Sequence, residues 1–330
     1  MTATLMDGYD AALFDLDGVV YLGPVAVPGA AEGLAELRKR GARIGFVTNN
    51  AARSPQTVVD HLGELGIDAA LTDVVVSSQA AARLLAERVP AGSPVLVVGT
   101  EALVEQIEGV GLRVVEEGER PAAVIQGYHP DLPWQLINRA CYAIEDGAPW
   151  VATNTDSTRP TDLGLVPGAG AQIAAVRMTV GIDPVVAGKP FSPLLEETVR
   201  RLSAARPIFV GDRIDTDIDG AATLGMDSLF VFSGAHGKRD VIAAANRPTH
   251  VGLDLRALVG PVGETAVGER MASSGEACVR LDDAGWNITA PHDAEGQLAA
   301  FRALLALVPA GADPTEPALA LALDQLDLLP

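Results

Sequence analysis

Ala11-Ala12-Leu13-Phe14-Asp15-Leu16-Asp17-Gly18 is an apolar run that ends, close to the N-terminus, in two carboxylates two residues apart. The run reads as a buried strand over Ala11–Asp15. Side chains two apart on a strand share one face, so Asp15 and Asp17 converge on one point, and Gly18 lets the chain turn away sharply. One such carboxylate is suited to attack phosphorus while its neighbour moves a proton. Taken alone, the pair is equally a solvated turn or a set of metal ligands, and its partners along the chain decide between these.

Outward from this run, short β-branched stretches recur at Ile44–Val47, Val74–Val76, Val95–Val98, Ala123–Ile125, Trp150–Ala152, Val185–Ala187, Ile208–Val210 and Leu229–Phe232. Ala/Leu-rich segments of helical length separate them: Gly29–Arg40 with Leu34 and Leu37 inward, Thr57–Leu65, Gln79–Glu87, Pro193–Leu202 and Thr216–Leu224. This alternation predicts an α/β fold with a doubly wound, mainly parallel sheet. The chemically rich strand ends fall in two blocks, so residues 1–80 and 183–260 are expected to form the core. Residues 81–182 are long enough for an inserted α/β cap domain over the carboxyl edge of that sheet.

Residues 261–330 differ in composition, with no Lys, three Arg and eleven Asp or Glu. A hairpin of Ala277–Leu281 and Trp286–Thr289 about the turn Asp282-Asp283-Ala284-Gly285 is expected there. Helices near Glu295–Leu307 and Ala318–Leu326 would complete a small α+β module, either separate or packed on the core. Phe301, Leu304, Leu305 and Val308 lie at helical spacing and would support packing or a homo-oligomer.

Across 330 residues, 48% are hydrophobic and 20% charged, which is a globular composition and argues against disorder. The formal charge of −19 repels nucleic acid and anionic lipid, so neither is an expected partner. An acidic chain that handles a phosphate must bring local positive charge, which makes a metal ion and a few placed Lys or Arg residues necessary. Only Cys141 and Cys278 are present, outside any ligand spacing, which fits a reducing compartment. Residues 1–10 have neither a basic start nor an apolar signal stretch, and no run reaches the span of a membrane helix, so a cytoplasmic location is expected.

Four predicted strand ends carry polar groups. Beside Asp15 and Asp17 stand Thr48-Asn49-Asn50, Gly188-Lys189-Pro190 and Gly211-Asp212-Arg213-Ile214-Asp215-Thr216-Asp217. In open α/β sheets ligands bind outside the carboxyl ends of strands, so these sets are expected to meet in one crevice. Mg2+ suits Asp15, the backbone carbonyl of Asp17 and Asp212, with Asp217 orienting the metal's waters from behind. Asp15 is the expected nucleophile and Asp17 the acid and then base. Thr48, Asn49, Asn50 and Lys189 are expected on the phosphoryl oxygens. Thr48-Asn49-Asn50 also reads as a cap for the following helix, and Arg213 as a partner for a carboxylate in its own loop.

In this order the motifs resemble the haloacid dehalogenase superfamily, and more narrowly its branch with a large α/β cap. That branch contains phosphoglycolate, nucleotide, pyridoxal-phosphate and 4-nitrophenyl phosphatases, together with bacterial glycerol 3-phosphate phosphatases. The resemblance spans about residues 8–260. It implies a Mg2+-dependent phosphatase for a small phosphorylated metabolite, with glycerol 3-phosphate first and 2-phosphoglycolate, nucleotides or 4-nitrophenyl phosphate as alternatives. It also implies that Asn154 and Asp156 of the cap lie near substrate, although Thr153–Asp156 and Gly127–Asp131, with His129, read equally well as turns internal to the cap. Two other readings are a phospho-acceptor module, disfavoured by Asp17, and a phosphomutase.

Overall fold

The opening run is a strand, Ala11–Asp15, with all five residues buried. It pairs in parallel with Pro207–Gly211, which pairs with Asp227–Val231, and that in turn with His250–Gly252. The register sets Phe14 opposite Val210, so the first and fourth chemically rich segments leave their strands side by side. This is a computed structural model, and it describes residues 3–161, 163–283 and 285–330. The chain divides into two compact units, Met1–Ile44 with Ala204–Pro330, and Gly45–Ser203.

In the first unit the helix Ala30–Lys39 buries Leu34 and Leu37 and ends on basic residues, which suits the negative end of a helix dipole. Residues 261–330 contribute four antiparallel strands, Thr265–Val267, Met271–Ser274, Ala277–Asp282 and Gly285–Thr289, and the helices Ala294–Leu307 and Pro317–Asp324. The expected hairpin is present, although Ala284 in its turn lies outside the described residues. Asp293 starts the longer helix by accepting from the Gly296 amide at 2.7 Å.

The described residues of this segment share a core with the sheet of the first unit. Phe301, Leu304 and Val308 are buried in one cluster with Ile218, Phe230 and Phe232. Phe232 meets Phe230 and Phe301 edge-on, at 5.1 and 5.5 Å between centroids. The apolar face expected to serve packing or dimerisation is therefore covered within the chain.

In the second unit Val74–Val76 pairs in parallel with Phe46–Thr48. A further sheet, parallel throughout, runs in the order Val185–Val186, Trp150–Ala152, Ala123–Gln126, Pro94–Val98 and Arg113–Val114. Val98, Val124, Ala152, Ile137, Ile144 and Ile173 are among the buried residues of its core. The hairpin Thr158–Thr161 with Gly164–Pro167 is an addition to the expected elements. Among the described residues no helix is long and apolar enough to cross a membrane.

The helix Ser192–Leu202 buries Glu197 on its inner face. Its carboxylate takes hydrogen bonds from Arg200 at 2.8 and 2.9 Å and from Arg201 at 2.7 Å, with Arg83 of the helix Ser77–Ala86 at 3.5 Å. Burial alone raises the pKa of this carboxyl, but the guanidinium hydrogen bonds and charges prevail and hold it below its ordinary value.

Candidate active site

In the first unit one carboxylate oxygen each from Asp15, Asp212 and Asp217 lies within 4.8 Å of the others. All three residues are buried, at 8%, 1% and 0% exposure. Asp15 ends its strand, Asp212 follows Pro207–Gly211, and Asp217 sits on a single π-helical turn, Ile214–Ile218. That turn returns Asp217 to the strand end it has just left. Asp217 Oδ2 accepts from the backbone amides of Asp212 and Arg213, both at 3.1 Å, and Oδ1 from the Thr216 hydroxyl at 3.3 Å.

The Ala235 amide donates to Asp212 Oδ2 at 2.6 Å, the His236 amide to its carbonyl at 3.3 Å, and the Ser233 hydroxyl to the Gly18 carbonyl at 2.7 Å. His236 Nδ1 in turn accepts from the Ile214 amide at 2.9 Å. A Cβ on Gly18 (φ +92°) or Gly234 would fall inside van der Waals distance of the Asp212 carboxylate. Glycine is thus required at residue 18 for its positive φ and for this close approach as well. The Asp17 side chain is exposed and outside the group of three, so only its backbone is left as the expected metal ligand. Arg213 pairs with Asp215, at 2.7 Å for the shorter contact, in line with the simpler of its sequence readings.

Two unit charges about 4 Å apart repel by about 4 kcal/mol at an effective dielectric near 20, and three buried carboxylates multiply that cost. The backbone amides around Asp212 and Asp217 offset part of it. A hard divalent cation offsets the remainder, and a donor set made only of oxygens matches Mg2+.

The second unit assembles the other predicted residues by hydrogen bonds. Asn49 is the hub: its Oδ1 accepts from the Lys189 amide at 2.8 Å, and its Nδ2 donates to the Lys189 carbonyl and to Asp156 Oδ1, both at 3.1 Å. Its own carbonyl accepts from the Ser77 hydroxyl at 2.6 Å and from Asn154 Nδ2 at 2.7 Å. Asn154 Oδ1 accepts from the Asp156 amide at 3.1 Å. The side-chain amides expected to face substrate are therefore engaged in holding the backbone around Lys189, which is itself buried. Gly188 is tied to this frame, since a Cβ there would run into Thr153 and Asn49.

Thr48 accepts from the Asn50 amide at 3.1 Å, and Asn50 Oδ1 from the Ala52 amide at 3.0 Å. The next helix, Pro55–Glu64, takes its cap from Ser54, so the capping reading of Thr48-Asn49-Asn50 is set aside. His129 Nδ1 accepts from the Asp131 amide at 3.1 Å in a local turn, the Gln172 side chain bonds the His129 backbone amide and carbonyl, and Arg159 lies over the Tyr128 ring at 4.6 Å. Sequence reasoning missed Ser77, whose only signal was its place directly after a strand; Asp217, expected behind the metal site, accepts the Asp212 and Arg213 amides.

This acidic strand-end chemistry on a parallel α/β scaffold defines a class. The chain belongs to the haloacid dehalogenase-like hydrolases: a model of that family matches residues 12–113, and a second HAD-type hydrolase model matches residues 186–258. It is 47% identical to a D-glycerol 3-phosphate phosphatase of Mycobacterium tuberculosis over 76% of this chain and 71% of the relative. A 5'-nucleotidase of Bacillus subtilis is 34% identical over 74% of this chain and 95% of its own. Among solved structures, a glycerol phosphate phosphatase of M. tuberculosis in complex with magnesium matches with a TM-score of 0.80 at 37% identity, covering 97% of this chain and 98% of that one. A p-nitrophenyl phosphatase of Archaeoglobus fulgidus matches with a TM-score of 0.72 at 28% identity, over 76% of this chain and 98% of its own.

Proposed function

We propose that this enzyme is a Mg2+-dependent phosphomonoesterase whose substrate is D-glycerol 3-phosphate. The buried trio Asp15, Asp212 and Asp217 carries the reading of the reaction. The substrate rests on the relative that is 47% identical and bears that activity in its name. Asp15 attacks phosphorus in line and becomes an aspartyl-phosphate. Asp17, exposed and outside the trio, gives its proton to the departing alkoxide and later takes one from the water that hydrolyses the acyl phosphate.

Asp15, Asp212 and the Asp17 carbonyl would hold the cation, which supplies positive charge to the phosphoryl oxygens when bound. Asp217 keeps the Asp212 backbone in place through its two hydrogen bonds. The Thr48 hydroxyl and Lys189 ammonium serve the phosphoryl oxygens, with Asn49, Asn154 and Asp156 as the frame that positions Lys189. Residues 81–182 act as the cap that selects the ester, on a core of 1–80 and 183–260. The enzyme works in the cytoplasm, in keeping with two free cysteines, and any homo-oligomer forms through surfaces other than the covered face of Ala294–Leu307.

The test is phosphate release with Mg2+ from both glycerol 3-phosphate enantiomers, 2-phosphoglycolate, a nucleoside monophosphate and 4-nitrophenyl phosphate. The highest kcat/KM is expected for D-glycerol 3-phosphate. A different leading ester replaces the substrate and keeps the reaction, whereas no release from any ester overturns both.

A further inference from the structure

Beside the edge strand His250–Gly252, the first unit contains a cavity of about 290 Å3 whose lining includes Arg247, Thr249, His250, Val262, Thr265 and Arg302. The polar side chains of this lining are cationic or neutral, with no Asp or Glu among them. That is unusual in a chain with 43 acidic and 24 basic residues. Elsewhere arginines take carboxylates, as in Arg43 with Asp10, Arg239 with Asp324 and Arg256 with Asp254. Arg247 and Arg302 are half-buried, and among the described residues they meet only backbone carbonyls.

Arg302 places both Nε and Nη2 on the Val251 carbonyl, at 3.2 and 2.8 Å, which leaves Nη1 uncommitted. Arg247 donates to the carbonyls of Leu305 and Pro309. Carbonyl partners satisfy hydrogen bonds without neutralising charge; the field of Glu295 offsets part of the Arg302 charge, whereas Arg247 has burial alone acting on it. Burial accordingly pulls both guanidinium pKa values down, and it also lowers that of His250, so the arginines carry the positive charge of the cavity near neutral pH.

We propose that this cavity binds a small oxyanion: inorganic phosphate or the phosphate group of a small monoester. The uncommitted Nη1 of Arg302 can donate to a phosphate oxygen, with the charge of Arg247 in the same lining, and the apolar wall of Leu5, Val262, Leu305 and Ala306 has room for a short carbon chain. None of the lining residues belongs to the catalytic set. Val262, Thr265, Arg302 and Leu305 all come from residues 261–330, so the site gives that segment a binding role.

The test is a thermal-shift titration of the full chain in EDTA with inorganic phosphate and, separately, glycerol 3-phosphate, against chloride at matched ionic strength. Ligand bound only by the folded state raises Tm saturably, whereas the general salting effect of phosphate does not saturate. The saturable rise should weaken by roughly tenfold or more in Arg302→Met and persist in Lys189→Met. Val262→Glu, at a residue 45% exposed, keeps every arginine hydrogen bond in place while supplying the missing carboxylate. It should raise the phosphate-free Tm and abolish the response, which keeps the test decisive if Arg302→Met does not fold. Saturation by phosphate alone assigns the site to the oxyanion, and saturation by the ester only assigns it to the whole metabolite. No saturable rise with either ligand, a rise unchanged in Val262→Glu, or one lost in Lys189→Met overturns the proposal.

Discussion

The acidic trio of the first unit and the lysine frame of the second solve opposite electrostatic problems. Asp15, Asp212 and Asp217 concentrate like charge where water is scarce, and only a cation makes all three ionised forms tolerable. Lys189 brings one buried cationic side chain, and its backbone is gripped on both sides by a single asparagine. The first region is built for a metal and the second for positioning. Substitutions in the two should therefore separate metal affinity from turnover.

Asp15→Asn should have the largest effect, lowering phosphate release by about 10^4-fold or more with folding intact, since no other group replaces the nucleophile. Lys189→Met should lower kcat/KM by roughly 10^2- to 10^3-fold and leave Mg2+ affinity, measured calorimetrically, as in the parent. Asp212→Asn should weaken Mg2+ binding by about 10- to 100-fold or more, and equal losses of affinity in these two variants would break the contrast. Asn49→Ala should lower kcat roughly 10-fold or more and stability by about 1–3 kcal/mol, again without changing Mg2+ affinity, because it strips Lys189 of both backbone partners.

The smallest effect is one of stability. The Glu197 carboxyl titrates lower in the folded chain than in the unfolded one, so its stabilisation is present above the unfolded pKa and fades as pH falls through the folded value. Glu197→Gln should cost about 1–3 kcal/mol at neutral pH in denaturant melts, and the gap to the parent should close below about pH 4.

Strands that are buried on both faces were legible in sequence, because runs such as Ala11–Asp15, Val74–Val76 and Trp150–Ala152 are continuously apolar or β-branched. His250–Gly252 was not, being three residues with one β-branched side chain and held by its neighbour's register. Spacing brought Asp15 and Asp212 together. It did not foresee that a π-helical turn brings a carboxylate oxygen of Asp217 to within 4.8 Å of the other two. The hub role of Asn49 was hidden as well, since it depends on Ser77, Asn154, Asp156 and Lys189, far apart in the chain.

The central claim is that Asp15 carries the phosphoryl group before water does, and the stereochemical course at phosphorus tests this most directly. Two successive in-line displacements, first by Asp15 and then by water, predict net retention with an isotopically chiral phosphomonoester. Net inversion, the outcome of a single displacement by water, would contradict it.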